Sequence, residues 1–279
     1  MTPVSALGGY GCFSWEKPMN RSGLMCLTVA WLLGMLAALP CSAGTLLLNL
    51  NVDLQARQFL VANNQYIIVV LPDPVSEGDN VVVAYILQPI ADQTTLVFDT
   101  SLAVYVSYVP VAYPGTVTMQ ACSEAQAGNT YSFDGTQVNG DGSGLAGYVG
   151  MYYDAPQYAQ PVATGVASFI YQSDDGKPDN PTPVNYNSLN PYQTRYTQVT
   201  APTVWVFVAS NVPVGSVLPL SVLRPVAPQT MSKSAQASAN ATLQMGRYTA
   251  VTLSASSPQS VYFDVSINAF VPGNYPTQP

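Results

Sequence analysis

The chain has 279 residues, 48% of them apolar and only 8% charged, with a formal net charge of −7 and no histidine. With no run of Lys or Arg to displace phosphate counterions, nucleic acid is excluded as a partner and recruitment to anionic lipid is disfavoured. The missing imidazole removes Ser-His-Asp and Cys-His catalysis and every His-ligated zinc or copper site, while the apolar content excludes a disordered chain.

Met19-Asn20-Arg21 gives a short basic start, Leu24 to Leu39 an apolar run, and Pro40-Cys41-Ser42-Ala43 a small-residue exit. That order reads as a secretory signal peptide cleaved after Ala43, with translation starting at Met19. The apolar run falls short of the roughly 20 residues that a spanning helix needs. Residues 1–43 are therefore read as extension and leader, and residues 44–279 as the mature domain, secreted or periplasmic. Cleavage removes Cys12, Cys26 and Cys41, so no internal disulfide is expected and Cys122 reads as a small buried residue of a strand.

From Gly44 onward, short β-branched or aromatic runs alternate with Pro, Gly, Asn and Asp. Thr45 to Val52 alternates, with Leu46, Leu48, Leu50 and Val52 on one face. Tyr66 to Leu71 and Val81 to Leu87 are continuous apolar runs, as in strands covered on both sides. Thr95 to Phe98, Leu102 to Val109, Thr116 to Ala121 and Thr130 to Phe133 follow. Beyond a glycine-rich interval come Val166 to Tyr171, Thr203 to Ser210, Val217 to Leu223, Ala235 to Met245, Tyr248 to Ser254 and Val261 to Ile267. No stretch of a dozen residues has a helical apolar period. The expected fold is all-β, an antiparallel sandwich of jelly-roll or Greek-key type, with a closed barrel as runner-up. Most runs are too short for an outer-membrane barrel. Asp134 to Gly150, with six glycines, and Ser173 to Gln193 interrupt the pattern. The first is either a boundary between two sandwiches near residues 135–160 or a long loop on one compact unit, and the single unit is favoured.

Catalytic groups are sparse. Asp134, Asp141, Asp154, Asp174, Asp175 and Asp179 lie among glycines and prolines, where acidic residues form turns, so no enzyme is expected and a hydrolase on paired aspartates is the minor alternative. Gly142-Ser143-Gly144-Leu145-Ala146-Gly147 has the letters of a dinucleotide loop, but Tyr148-Val149-Gly150 follows and no helix is offered. Asp141, Asp174, Asp175 and Asp179 concentrate oxygen ligands on loops, the chemistry calcium takes, without EF-hand spacing; solvated turns explain the same residues. No other cofactor is expected.

Tyrosines cluster at Tyr148, Tyr152, Tyr153 and Tyr158, and again at Tyr186, Tyr192 and Tyr196. Tyrosines at a sandwich rim offer a flat apolar ring and a hydroxyl to a sugar; equally, they can cap the core. Tyr148, Tyr152, Tyr153, Tyr158, Tyr186 and Tyr192 are the candidate ligand-binding residues. Trp205 alternates with Phe207 in a strand and reads as core.

Ser234 to Met245 alternates strictly, Gly246-Arg247 can turn the chain, and Val251, Leu253 and Ala255 continue the alternation. A hairpin over residues 234–256 of this kind can cross a bilayer once hairpins assemble, though a half-buried strand pair alternates in the same way. Asn240-Ala241-Thr242 is a glycosylation acceptor sequence. The leading expectation is a secreted, non-catalytic β-sandwich acting through its surface, on a glycan or cell-surface component or on copies of itself; the second is a pore-forming protein using that hairpin.

Overall fold

The structure, a computed structural model, describes residues 44–74, 76–108, 111, 113–155, 159–199, 202–226 and 245–275. Strands account for 53% of the described residues and one sheet curls into a half-barrel, giving the expected all-β sandwich.

The first strand, β1 (Thr45–Asn51), buries Leu46, Leu48 and Leu50 on one side, as its alternation requires. The helix α1 (Leu54–Ala62) follows, an element with no counterpart in the sequence reading. Asp53 caps it by accepting the Ala56 amide at 2.7 Å, and Ala56 and Leu60, four residues apart, are its buried contacts. Next come β2 (Tyr66–Val70), β3 (Asn80–Leu87) and β4 (Gln93–Ser107), the last merging two expected strands with a register shift between Phe98 and Leu102. Then follow β5 (Ala121–Ala125), β6 (Asn129–Phe133), β7 (Val138–Ser143), β8 (Tyr148–Tyr153) and β9 (Val162–Gln172). The C-terminal half adds β10 (Thr182–Pro183), β11 (Asn187–Leu189), β12 (Thr194–Gln198), β13 (Thr203–Ala209), β14 (Val217–Pro219), β15 (Thr249–Thr252), β16 (Gln259–Asp264) and β17 (Ala269–Pro272).

These strands form three sheets. An eight-stranded sheet runs β10-β9-β4-β1-β16-β17, with β11 on β9 and β5 on β4; a five-stranded sheet runs β14-β3-β2-β13-β15; a four-stranded sheet runs β12-β8-β6-β7. All pairings are antiparallel except β1 with β16 and β6 with β8. The central core draws on all three sheets, from Leu48 of β1 and Phe98 of β4 to Phe133 of β6, Val206 of β13 and Phe263 of β16.

Neighbouring residues of β2 point into different clusters, Ile67 and Val69 into the central core, Ile68 and Val70 into a second one with Phe207, Val212 and Leu223. The apolar runs of β2 and β3 are thus buried on both faces, as expected. Both strands are internal, since β2 lies between β3 and β13, and β3 between β2 and β14.

Further expectations change. Asp134 to Gly150 holds β7 and the start of β8, so the dinucleotide-like letters sit in the end of β7 and the turn that leads to β8. Trp205 is half-buried, with its ring stacked on Tyr248 at 4.1 Å. Cys122 is half-buried on β5 and disulfide-bonded in the full chain, whereas the expectation of no disulfide was for the chain cut after Ala43. Gly246-Arg247 is not a hairpin turn. Met245 bridges Ala209 while Thr249 pairs with Val206, so the chain runs on beside β13 with a one-residue bulge between the two pairs. Gly246 is required there, since a Cβ would stand 2.8 Å from the Asn268 carbonyl oxygen.

Candidate functional site

β8 sends Val149, Met151 and Tyr153 into the central core. A strand alternates, so Tyr148, Gly150 and Tyr152 face outward. The register of β12 sets Gln198, Tyr196 and Thr194 opposite these three in turn, on the same face. On the other side β6 sets Thr130 beside Gly150 and Ser132 beside Tyr152, and β7 sets Asn139 opposite Ser132. The outer face of the four-stranded sheet therefore carries three tyrosines among hydroxyl and amide side chains, with no charged residue at any of these positions.

Gly150 is the centre of this face. A Cβ there would stand 2.9 Å from Cε1 of Tyr196 and 2.9 Å from Oγ1 of Thr130, so the Tyr196 ring occupies the room that a side chain at 150 would take. The ring lies across β8 between Tyr148 and Tyr152, which are about 13 Å apart along the strand. Tyr196 is 46% exposed, and Tyr148 and Tyr152 are half-buried.

At the end of the face, Asn190 to Gln193 forms a turn that docks on β8 by Tyr192 N–H donating to the Tyr153 carbonyl (2.8 Å) and Tyr153 N–H donating to the Gln193 carbonyl (3.0 Å). Tyr192 takes a left-handed φ of 59° and is 56% exposed, a conformation that costs energy in a residue with a side chain. Behind the face, Glu77 accepts the Ser188 amide at 2.6 Å, and that bond, aided by Arg195, holds its carboxyl below the usual range.

The candidate tyrosines thus divide. Tyr148, Tyr152 and Tyr192 lie on or beside the open face. Tyr153 is buried against Phe133, ring centroids 5.2 Å apart, with burial pushing its hydroxyl pKa up. Tyr186 is also core, its hydroxyl accepting the Asn80 amide at 3.0 Å and raised by burial. Tyr158 lies outside the described residues. Gly150, Thr130, Ser132, Asn139, Thr194 and Gln198 were not singled out from sequence. The signal for β8 was present in the alternation of Tyr148, Gly150 and Tyr152 with Val149, Met151 and Tyr153.

The four candidate calcium ligands are not brought together. Asp174 and Asp175 occupy the turn after β9, where they accept hydrogen bonds from Ser173 Oγ (3.1 Å) and Gln172 Nε2 (2.8 Å). Asp179 follows in an exposed bend, and Asp141 belongs to β7 of another sheet. Among the described residues no three acidic or cysteine side chains stand together as a metal site. Of the hairpin 234–256, residues 234–244 and the acceptor Asn240 lie outside the described residues; Val251 and Leu253 are in the central core. Among the described residues no helix is long and apolar enough to cross a membrane.

No protein-family profile matches the sequence, and neither curated proteins nor solved structures show a significant match.

Proposed function

We propose that this chain is an exported, non-catalytic β-sandwich that binds glycan across the outer face of its four-stranded sheet. One observation carries the proposal: Tyr148, Tyr152 and Tyr196 surround Gly150 on an open face whose other paired positions are Thr130, Ser132, Asn139, Thr194 and Gln198. A sugar ring has an apolar C–H face, which packs on an aromatic ring, and a rim of hydroxyls, which need donors and acceptors beside that ring. Hydroxyl and amide side chains supply both. The sheet beneath is fixed by its ladder, so little ordering is required of the protein on binding.

The experiment is a glycan array probed with the wild-type chain, followed by titration of the best binder against Tyr152→Ala and Tyr196→Ala. Removing either ring should weaken binding about tenfold or more, the loss typical of an aromatic anchor, with thermal melting unchanged. Absence of binding to any neutral or charged glycan, or binding indifferent to both substitutions, refutes the proposal. Export is tested by N-terminal sequencing of the product released by the producing cell.

A further inference from the structure

At the end of the sandwich where β1 begins, the layers part around a cavity of about 260 Å³. Among the described residues its wall is apolar, made chiefly by Leu46, Phe98, Leu102, Val166, Val184 and Val199. Leu46, Phe98, Val166 and Val184 also belong to the central core, so this is an inlet into the core and not a surface groove.

One buried polar residue stands in that wall, while Thr100 and Gln198, which also line the cavity, are exposed. Ser168 shares the inward face of β9 with Val166 and Ile170 and is only 5% exposed. Its carbonyl accepts the Thr182 hydroxyl, but its own hydroxyl has no hydrogen-bond partner among the described residues. An unpartnered hydroxyl facing apolar side chains gives an entering molecule a group to bond.

The mouth sets the charge. Asp73 is exposed there, and Asp99 accepts the Ser101 amide (2.8 Å) and hydroxyl (2.6 Å) and pairs with Lys177 at 2.8 Å. Lys177 is held by that pair and lies 4.1 Å over the Phe169 ring, and among the described residues lining the cavity there is no cation to receive an anionic headgroup. Two carboxylates against one engaged ammonium repel an anion.

We infer that this inlet is a second binding site, sharing only Gln198 with the tyrosine face, for a small uncharged apolar molecule carrying one hydrogen-bonding group that reaches Ser168. An apolar cavity of about 150 Å³ holds benzene, so this one accommodates two fused rings or a chain of comparable bulk.

The test is calorimetric titration of the full chain with 1-naphthol, naphthalene and 1-naphthoate. Expected is saturable binding of 1-naphthol at one site, about fivefold weaker binding of naphthalene for the lost hydrogen bond, and naphthoate weakest. Ser168→Ala should abolish the preference for naphthol over naphthalene. Leu102→Trp at the mouth, with Val166→Phe as the second variant if the first melts low, should remove all three. Non-saturable binding, naphthoate binding as tightly as naphthol, a preference that survives Ser168→Ala, or affinity unchanged in the folded filled variant overturns the inference.

Discussion

Alanine at Gly165 and alanine at Gly150 add the same methyl group to two strands, and should have opposite outcomes. At Gly165 on β9 the new Cβ would stand 2.2 Å from the Asn185 carbonyl oxygen, 2.8 Å from its Oδ1 and 3.0 Å from its carbonyl carbon. These atoms cannot swing aside. The carbonyl accepts the Tyr105 hydroxyl at 2.5 Å, Oδ1 accepts the Val166 amide at 2.9 Å, and Asn185 and Tyr105 are fully buried. Making room strands a phenol and an amide in the core at about 1–3 kcal/mol each, with overpacking adding about 1–3 kcal/mol. Taking about 4 kcal/mol in all, and about 2–4 °C per kcal/mol for a domain of this size, melting should fall by about 8–16 °C. At Gly150 the obstacles are the edge of the Tyr196 ring and the Thr130 hydroxyl, ends of side chains at the surface. They can rotate away, and alanine gains about 0.4–1 kcal/mol by restricting the unfolded chain. Melting should then stay within about 3 °C of wild type, while the displaced ring weakens glycan binding. Circular dichroism melts of both single variants decide. A Gly165→Ala protein melting within about 3 °C of wild type, or a Gly150→Ala protein melting as low as Gly165→Ala, refutes the packing argument.

Tyr153→Ala should cost about 3–5 kcal/mol in urea unfolding, as for other buried aromatics, whereas Tyr196→Ala should stay within about 0.5 kcal/mol. A cost for Tyr196 equal to that for Tyr153 would place the ring in the core. Acid should destabilise the fold through carboxylates with depressed pKa values. Hydrogen bonds from the Thr136 hydroxyl and the Gln137 amide lower Asp134 to about 2, Asp99 is lowered because Lys177 and Ser101 outweigh its burial, and Glu77 is lowered chiefly by Ser188. A depressed folded pKa stabilises above the unfolded value, near 4, so melting should hold from neutral pH to that point and decline toward pH 2. Asp134→Asn should flatten part of this limb, by a small amount because the group is exposed; a melting temperature that rises with acid counts against it. Millimolar calcium should leave melting unchanged, as Asp174 and Asp175 are occupied by their own turn; a clear upward shift would restore the metal site.

Strands were legible wherever period and burial coincide. Leu46, Leu48 and Leu50 alternate because one face of β1 is core, and Ile67 to Val70 run without a break because β2 is covered on both faces. Elements defined by hydrogen bonds alone left no such trace. α1 is nine residues long and buries little beyond Ala56 and Leu60, too short to show a period. β7 reads Val-Asn-Gly-Asp-Gly-Ser, a turn composition made strand by its ladder to β6. Cys122 links two readings: a cut after Ala43 removes every other cysteine, so within one chain that cut and the disulfide at Cys122 are alternatives. The mass and N-terminus of the protein purified from its own cell distinguish cut from bond.

The tyrosine face was only half legible, because three remote segments build it. Residues 130–132, 148–152 and 194–198 meet through one parallel and one antiparallel ladder, and no local pattern announces which strands will pair. What sequence could not separate, burial and hydroxyl bonding together do. Three of the four buried tyrosines have bonded hydroxyls, Tyr105 donating to Asn185, Tyr131 accepting the Gln126 amide at 2.9 Å and Tyr186 accepting from Asn80, while the fourth, Tyr153, is held in the central core against Phe133. Such rings are held by the fold's need to satisfy a polar group it has desolvated. Among the described residues the hydroxyls of Tyr148, Tyr152 and Tyr196 bond to nothing in the protein, and their rings fill no core. None of these three rings is needed in the core, and a face of rings and hydroxyls that the described residues leave unbonded is what the proposed glycan would engage.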